Sequence, residues 1–150
     1  MARRNPTRRC LIVERHAWET GGHEQQLQIP LEVASSFFGP GDHARSVTVR
    51  VFLPPSAASP ALEKTVGISK EYRNGTRRIN GFTEIGHLGS CFIFFEETPD
   101  SGDYNVWWEQ DKAIVAARFR GWQQASGSQY GRGRLAIIVP APAPRQIDRI

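Results

Sequence analysis

The residues best suited to chemistry in this sequence form a short basic stretch, residues 70–80. Its first nine residues hold three arginines and one lysine. The Asn74-Gly75 pair at its centre favours a tight hairpin turn between two strands. Arginine matches the O6/N7 edge of guanine and asparagine pairs with adenine, so these side chains suit the major groove of DNA. The alternative is an ordinary solvated hairpin whose charges keep the protein soluble.

The positive charge of the chain is mostly arginine and is unevenly distributed. The formal net charge is +4, and among the 19 basic residues only Lys64, Lys70 and Lys112 are lysines. The planar fork of arginine matches the geometry of phosphates. Basic residues crowd residues 1–15 and 70–78, whereas residues 96–111 carry carboxylates and no basic residue. The sequence therefore predicts one basic face and one acidic back, as in a protein that binds polyanions.

Length and composition predict one folded domain. The chain has 150 residues, of which 39% are hydrophobic and 10% aromatic, enough for a hydrophobic core. Its apolar runs are shorter than a membrane span, and its N-terminus lacks the apolar segment of a secretory signal. We therefore expect a soluble intracellular protein without a membrane partner. Cys10 and Cys91 are expected to be buried free thiols, and no metal or cofactor is expected.

Three regions are distinguished along the chain. Residues 1–9 are basic and aperiodic, which indicates a mobile arm. Residues 10–139 are expected to form the folded domain. Residues 140–150 begin with alternating proline and alanine, which is typical of a stiff linker, so we expect the natural polypeptide to continue past Ile150.

The patterning within the domain predicts a mainly β protein with about seven short strands and two short helices. The first helix spans residues 30–38, since Pro30 suits a first helical turn and Gly39-Pro40 a stop. The second runs from Lys112 to about Gln123 behind an Asp111 cap. Residues 127–133 are interpreted as a flexible connection. Strands at this spacing indicate a barrel or a sandwich.

Two polar loop tips are expected to contact one partner. The first tip contains Arg15, His16, His23 and Gln25, and the second is the basic stretch. Two such tips can flank a major groove about 12 Å wide. We expect His23, Gln25, Asn74, Arg77 and Arg78 at base edges, and Arg15, Lys70, Arg73 and the N-terminal arginines at phosphates. For His23, the alternative is a buried or merely exposed histidine.

Two motifs carry a resemblance to a known family. The run from Thr20-Gly21-Gly22-His23 to Ile29-Pro30 resembles the first DNA-binding arm in the N-terminal effector domain of EcoRII-type restriction endonucleases. The end of the basic stretch, Arg77-Arg78-Ile79-Asn80, is similar to the Lys-Arg-Ile-Thr end of that domain's second arm. Weaker similarity continues through residues 89–97 and 105–107, so the resemblance covers most of residues 10–125.

The resemblance implies a fold, an activity and a partner. The fold would be the DNA-binding pseudobarrel of the plant B-three type, a seven-stranded open β-barrel with two short helices. Its two arms would grip the major groove of double-stranded DNA at a CCWGG-like site. The domain would regulate a separate nuclease domain, C-terminal in the same polypeptide, and have no catalytic residues of its own. A monomer in the prokaryotic cytoplasm is expected.

The resemblance also implies positions for individual contacts. The histidine of the first arm corresponds to His23, and the basic pair of the second arm to Arg77 and Arg78. Gln28 stands where the family has tyrosine. Tyr72, Asn74 and Thr76 stand where the second arm has lysine, arginine and glutamate, so the base code is expected to differ. The predicted DNA-binding set is Arg15, His16, His23, Gln25, Gln28, Lys70, Tyr72, Arg73, Asn74, Thr76, Arg77, Arg78 and Asn80.

Three other functions are open at this stage. Pro99-Asp100 followed by residues 109–112 faintly resembles the PD…(D/E)xK motif of metal-dependent nucleases, but Gln110 stands where a carboxylate ligand is needed. The four tryptophans could stack on single strands or RNA, although core packing is the better interpretation for at least one of Trp107 and Trp108. The acidic run is the only indication of a protein-interaction module.

Overall fold

The structure is a computed structural model that describes residues 8–15, 27–52, 59–71, 75–81, 91–119, 129–130 and 134–141. At 129–130 and 134–135 the description is limited to the backbone. The described strands and helices are β1 (Arg9–Arg15), β2 (Leu27–Pro30), α1 (Leu31–Phe38), β3 (Arg45–Val51), β4 (Leu62–Ile68), β5 (Thr76–Asn80), β6 (Cys91–Glu97), β7 (Asp103–Glu109), α2 (Lys112–Arg118), β8 (Gln129–Tyr130) and β9 (Arg134–Pro140).

The strands form one mixed sheet that curves into a small barrel. Their order is β2-β5-β4-β3-β7-β6-β1-β9-β8. All neighbouring pairs are antiparallel except β3 and β7, which run parallel. Without the two-residue β8, eight strands make a nearly closed, barrel-shaped sheet. The predicted class, a mainly β barrel with two short helices, is confirmed, although nine strands are described where about seven were predicted.

Two hydrophobic cores lie on opposite faces of this sheet. Alternate residues such as Leu11 and Val13 of β1 fill the barrel interior with α1, whereas Cys10 and Ile12 belong to an outer core. The outer core contains Trp107, which stacks on Phe94 with 4.9 Å between ring centroids. Both cysteines are free and buried, as predicted. Because β1 is covered on both faces, five of its seven residues are buried, Arg15 among them, whereas Arg9 and Glu14 are partly exposed.

The helices begin and end for local reasons that the sequence indicates. Pro30 immediately precedes α1, and Gly39 follows it with a φ of 102°, a conformation that glycine adopts most readily. In α2 the Asp111 carboxylate accepts a hydrogen bond from the Ala113 amide. Phe119, with φ −116° and ψ 82°, is not helical, so α2 ends well before the predicted Gln123. Residues 120–128 are outside the described residues.

The predicted boundaries of the domain need two corrections. Arg9, assigned to a mobile arm, begins β1, and Pro140, assigned to the linker, ends β9. The two termini of the domain meet there, because the Ala141 amide donates to the Arg8 carbonyl at 3.0 Å. Residues 1–7 and 142–150 are outside the described residues. Within the segment predicted as a flexible connection, Gln129 and Tyr130 form β8.

The predicted acidic back is wrong for Glu96 and Glu97, which are 0% and 4% exposed. Their strand, β6, lies inside the sheet and is buried along its whole length. The Arg9 guanidinium donates to Glu97 Oε2 at 2.9 Å, and this hydrogen bond raises the pKa of Arg9. Asp103 accepts from Arg50 at 3.3 Å. Glu97 and Asp103 therefore pair with arginines of the barrel strands instead of forming a repulsive outer surface.

Glu97→Gln is expected to lower the free energy of unfolding by about 1 kcal/mol. Glutamine keeps a neutral acceptor for Arg9 but loses the charge-assisted bonds. Urea denaturation measures the change. The matched control is Glu63→Gln, because Glu63 pairs with Arg50 at 3.1 Å but has a side chain 58% exposed. An exposed pair contributes less than about 0.5 kcal/mol; equal losses in the two variants would contradict the assignment.

Candidate nucleic-acid interface

The short ladder between β2 and β5 brings four of the predicted contact residues together. In its register Gln28 is opposite Arg78, and Pro30 is opposite Thr76. Since side chains alternate across a strand, Thr76, Arg78 and Asn80 share one side of β5. Gln28 and Arg78 are partly exposed and Asn80 is exposed, whereas Thr76 is only 7% exposed. We call Gln28, Thr76, Arg78 and Asn80 the outer ladder face.

The opposite face of the same ladder anchors it to the barrel. Leu27, Ile29 and Ile79 are fully buried in the interior core. Burial of such aliphatic side chains stabilises a fold by roughly 1.5–3 kcal/mol each. This core holds the register of both strands, because a slip of one residue would expose all three. The outer ladder face is therefore a well-determined surface.

Both predicted DNA-binding arms attach to this ladder. The first loop, residues 16–26, leads into Leu27 of β2, and the second loop, residues 69–75, leads into Thr76 of β5. Because the strands are antiparallel, the two loops join the ladder at opposite ends. Leu27 and Pro30 are separated by three residue steps, about 10 Å. This spacing is close to the width of a major groove, about 12 Å.

The base of the second loop is bonded to neighbouring elements. The Leu31 amide of α1 donates to the Gly75 carbonyl at 2.8 Å, and the Glu71 amide donates to the Gly41 carbonyl at 3.1 Å. Ser69 Oγ accepts from the Arg78 amide at 2.9 Å. Gly75 has a φ of 74°, which suits the predicted tight turn. The described base of the second loop, residues 69–71 and 75, is therefore bonded to the barrel on both sides.

Arg77, which was predicted to lie at a base edge, is 0% exposed. Its guanidinium donates three hydrogen bonds to carbonyls: Nε to Ser69 at 2.8 Å, Nη1 to Gly39 at 2.7 Å and Nη2 to His43 at 3.5 Å. Burial, followed by the nearby Arg45 charge, lowers the pKa of Arg77 below the usual arginine value. Adjacent strand residues face opposite sides, so Arg77 and Arg78 cannot both point outward.

Arg15 also differs from its predicted role as a phosphate contact. It is 0% exposed and ends β1 opposite Cys91 of β6. Alternation along β1 puts Arg15 on the same side as Leu11 and Val13, which lie in the barrel interior. A guanidinium with no exposed surface does not contact a phosphate in this arrangement.

The remaining predicted residues divide between exposed positions and undescribed ones. Lys70 is exposed at the start of the second loop, as a phosphate contact requires. The others lie outside the described residues, so their predicted roles stay predictions: His16, His23, Gln25, Tyr72, Arg73 and Asn74.

Sequence reasoning missed the loop between α1 and β3, residues 39–44, which we call the α1–β3 loop. Its Asp42 and His43 side chains are 67% and 79% exposed, with 3.6 Å between Asp42 Oδ2 and His43 Nε2. The Gly41 carbonyl of this loop accepts from the Glu71 amide of the second loop, and the Gly39 and His43 carbonyls accept from Arg77 of β5. The Gly39-Pro40 sequence predicted only the end of the helix. Nothing in the sequence indicated that this loop contacts the second loop, about 30 residues further along the chain.

A concave surface lies between the C-terminal end of α1 and the start of β7, and its lining includes Arg9 and Arg45. Arg9 donates to the Ser36 carbonyl at 2.9 Å as well as to Glu97. Arg45 donates to the Phe38 carbonyl at 3.1 Å and the Pro40 carbonyl at 3.3 Å. Both guanidinium groups thus donate to carbonyls at the end of α1. This groove is therefore a weaker candidate for a nucleic-acid interface than the outer ladder face.

The motif that suggested a nuclease is not assembled among the described residues. Asp100 lies in the turn between β6 and β7, and Glu109 ends the seven-residue β7, which places them about 20 Å apart. No group of three or more metal-binding side chains occurs in the described part of the chain. No described helix has the length and hydropathy to cross a membrane.

Trp107 is 1% exposed in the outer core, as expected for at least one tryptophan of its pair, and is not available to stack on a base. Trp108 is partly buried and packs against the interior core. Trp18 and Trp122 lie outside the described residues.

Comparison of the chain with protein-family models, curated proteins and solved structures finds no match in any of the three.

Proposed function

We propose that this chain is a sequence-specific domain for double-stranded DNA. The observation that carries the proposal is the β2–β5 register, in which Gln28, Arg78 and Asn80 share one face between the attachment points of two polar loops. A partly exposed arginine flanked by amide side chains has the donors and acceptors that distinguish base pairs in the major groove.

Recognition and positioning would be divided between different residues. Arg78 suits the O6 and N7 acceptors of guanine, and Gln28 or Asn80 suits the N6 donor and N7 acceptor of adenine. Lys70, Arg73 and the arginines of residues 1–9 would neutralise phosphates, which orient the protein without reading sequence. Loops from both ends of the ladder would reach either wall of the groove.

The biological role that we propose follows the resemblance of the two arm motifs. The chain would be the recognition or effector part of a restriction endonuclease, with the nuclease domain elsewhere in the same polypeptide and a CCWGG-like target. Its own role would be binding alone, since Asp100 and Glu109 of the nuclease-like motif lie near opposite ends of β7, about 20 Å apart. Single-strand or RNA binding by aromatic stacking is less well supported, because Trp107 is 1% exposed.

Selection from a random duplex library, followed by titration of the enriched duplex, tests the proposal. We expect one short enriched sequence that binds at least about 10³-fold more tightly than a scrambled duplex. Competition with single strands and duplex RNA, and incubation with Mg²⁺, belong in the same experiment. Equal affinity for all duplexes, preference for single strands, or cleavage by the chain alone would each overturn the proposal.

Lys70→Ala is expected to weaken binding to every duplex to a similar extent. Lys70 is exposed at the base of the second loop, and losing one phosphate contact lowers the slope of log K against log salt by about one. Titrations of selected and scrambled duplexes at several salt concentrations measure both effects. A selective loss on the enriched sequence would instead assign Lys70 to a base.

A further inference from the structure

Arg77 joins two loops that are distant in sequence. Its Nε bonds to Ser69 at the start of the second loop, whereas Nη1 and Nη2 bond to Gly39 and His43 in the α1–β3 loop. All three acceptors are backbone carbonyls, so the guanidinium determines where the chain itself runs. A lysine ammonium has no fork and cannot reproduce three such directions from one buried position.

Two further contacts hold the same loops together. The Glu71 amide of the second loop donates to the Gly41 carbonyl at 3.1 Å. A Cβ added at Gly41 would lie 2.8 Å from Leu31 Cδ1 and 3.5 Å from Arg77 Cδ. The α1–β3 loop therefore packs directly against α1 and the stem of Arg77, and the position of one loop depends on the position of the other.

Arg77 also adjoins the outer ladder face without being part of it. It precedes Arg78 on β5, and Ser69, which accepts a bond from Arg77 through its carbonyl, accepts another from the Arg78 amide through its hydroxyl. A shift of the second loop base would therefore move the backbone that carries Arg78. Contacts to base edges depend strongly on such placement, because hydrogen bonds weaken steeply when misaligned.

We infer that Arg77 is a positioning residue that determines sequence specificity without touching DNA, by locking the second loop to the α1–β3 loop. This inference rests on the proposed function. Loss of the Arg77 guanidinium reduces discrimination between DNA sequences more than it reduces general affinity for duplexes. The reason is that phosphate contacts by exposed, flexible side chains tolerate small displacements.

Arg77→Lys tests the inference, with Arg45→Lys as its matched control. Arg45 also donates to two backbone carbonyls, but these belong to Phe38 at the end of α1 and Pro40 in the α1–β3 loop. Each variant is measured by urea denaturation, by stoichiometric titration for the active fraction, and by the ratio of Kd for scrambled to enriched duplex. We expect Arg77→Lys to lower that ratio at least about tenfold and Arg45→Lys less than about twofold.

A folded Arg77→Lys protein with an unchanged ratio would make the role of Arg77 purely structural and overturn the inference. If Arg77→Lys does not fold, Gly41→Ala replaces it, because the added methyl group would lie 2.8 Å from Leu31 Cδ1 and requires the α1–β3 loop or the Leu31 side chain to shift, while the guanidinium is kept. Gly41→Ala is then expected to lower the ratio as well, and an unchanged ratio overturns the inference. A wild-type chain without any sequence preference refutes the proposed function itself, a result that the variants cannot mimic.

Discussion

Arg77→Met is expected to lower the free energy of unfolding by about 3 kcal/mol. The change removes three hydrogen bonds that the charged guanidinium donates. The carbonyls of Ser69, Gly39 and His43 lose this donor. Hydrogen bonds to a charged donor contribute about 1.5–3 kcal/mol each, and hydration of these part-buried carbonyls together with relief of the buried charge offsets part of the sum. Methionine is chosen because it retains most of the buried volume. Urea denaturation followed by tryptophan fluorescence measures the loss.

The matched control is Arg78→Met, the same chemical change one residue along on the opposite face of β5. Arg78 is partly exposed, and a surface substitution changes stability by about 0.5 kcal/mol or a little more. The prediction is therefore a large difference between neighbouring positions. Similar losses at both positions would mean that the alternation of β5 does not govern these side chains.

Arg78→Ala is expected to cost about 1–3 kcal/mol of binding free energy on the enriched duplex and to relax the preference at one base pair. Arg78 is the described arginine of the outer ladder face, opposite Gln28. A bidentate contact to guanine carries discrimination, so its loss affects the preferred base most. Titration against duplexes with each base pair substituted in turn measures the effect.

Lys70→Ala is the control for this binding experiment, because it removes a cation at the base of the second loop and not from the ladder. The two variants should have different effects. Lys70→Ala weakens binding to all duplexes alike, whereas Arg78→Ala reduces the difference in affinity between the enriched duplex and its substituted forms. If Arg78→Ala also weakens all duplexes equally, Arg78 contacts phosphate and the base-reading role falls to the loops.

Much of the fold could be predicted because its signals are local. The alternation in Val47, Val49 and Val51 predicts a strand with one buried side, and all three are buried. Pro30 and Gly39 bracket α1, and the Asp111 cap begins α2. The ends of the helices were less predictable than their presence. Phe119, for example, continues the apolar pattern of α2, but its ring packs in the outer core with a backbone that has already left the helix.

The candidate site was predicted in composition but not in orientation. Ile79 is apolar, and the period of two puts Arg77 on its side of β5, so the sequence held a signal for an inward Arg77. Taken alone, that signal conflicts with the cost of burying a charge. The acceptors that make burial tolerable come from Gly39 and His43, more than thirty residues earlier along the chain.

The sequence by itself determined a mainly β domain with two short helices, the position of its basic stretch and the residue types available to the proposed DNA partner, because these depend on propensity, periodicity and side-chain chemistry. Only the tertiary structure decided which cations face outward. Arg77 and Arg15 are buried, Arg78 and Lys70 are not, and Glu97 binds Arg9 across β1 and β6. These outcomes depend on strand register and on carbonyls supplied by remote loops, neither of which is encoded in any local run of residues.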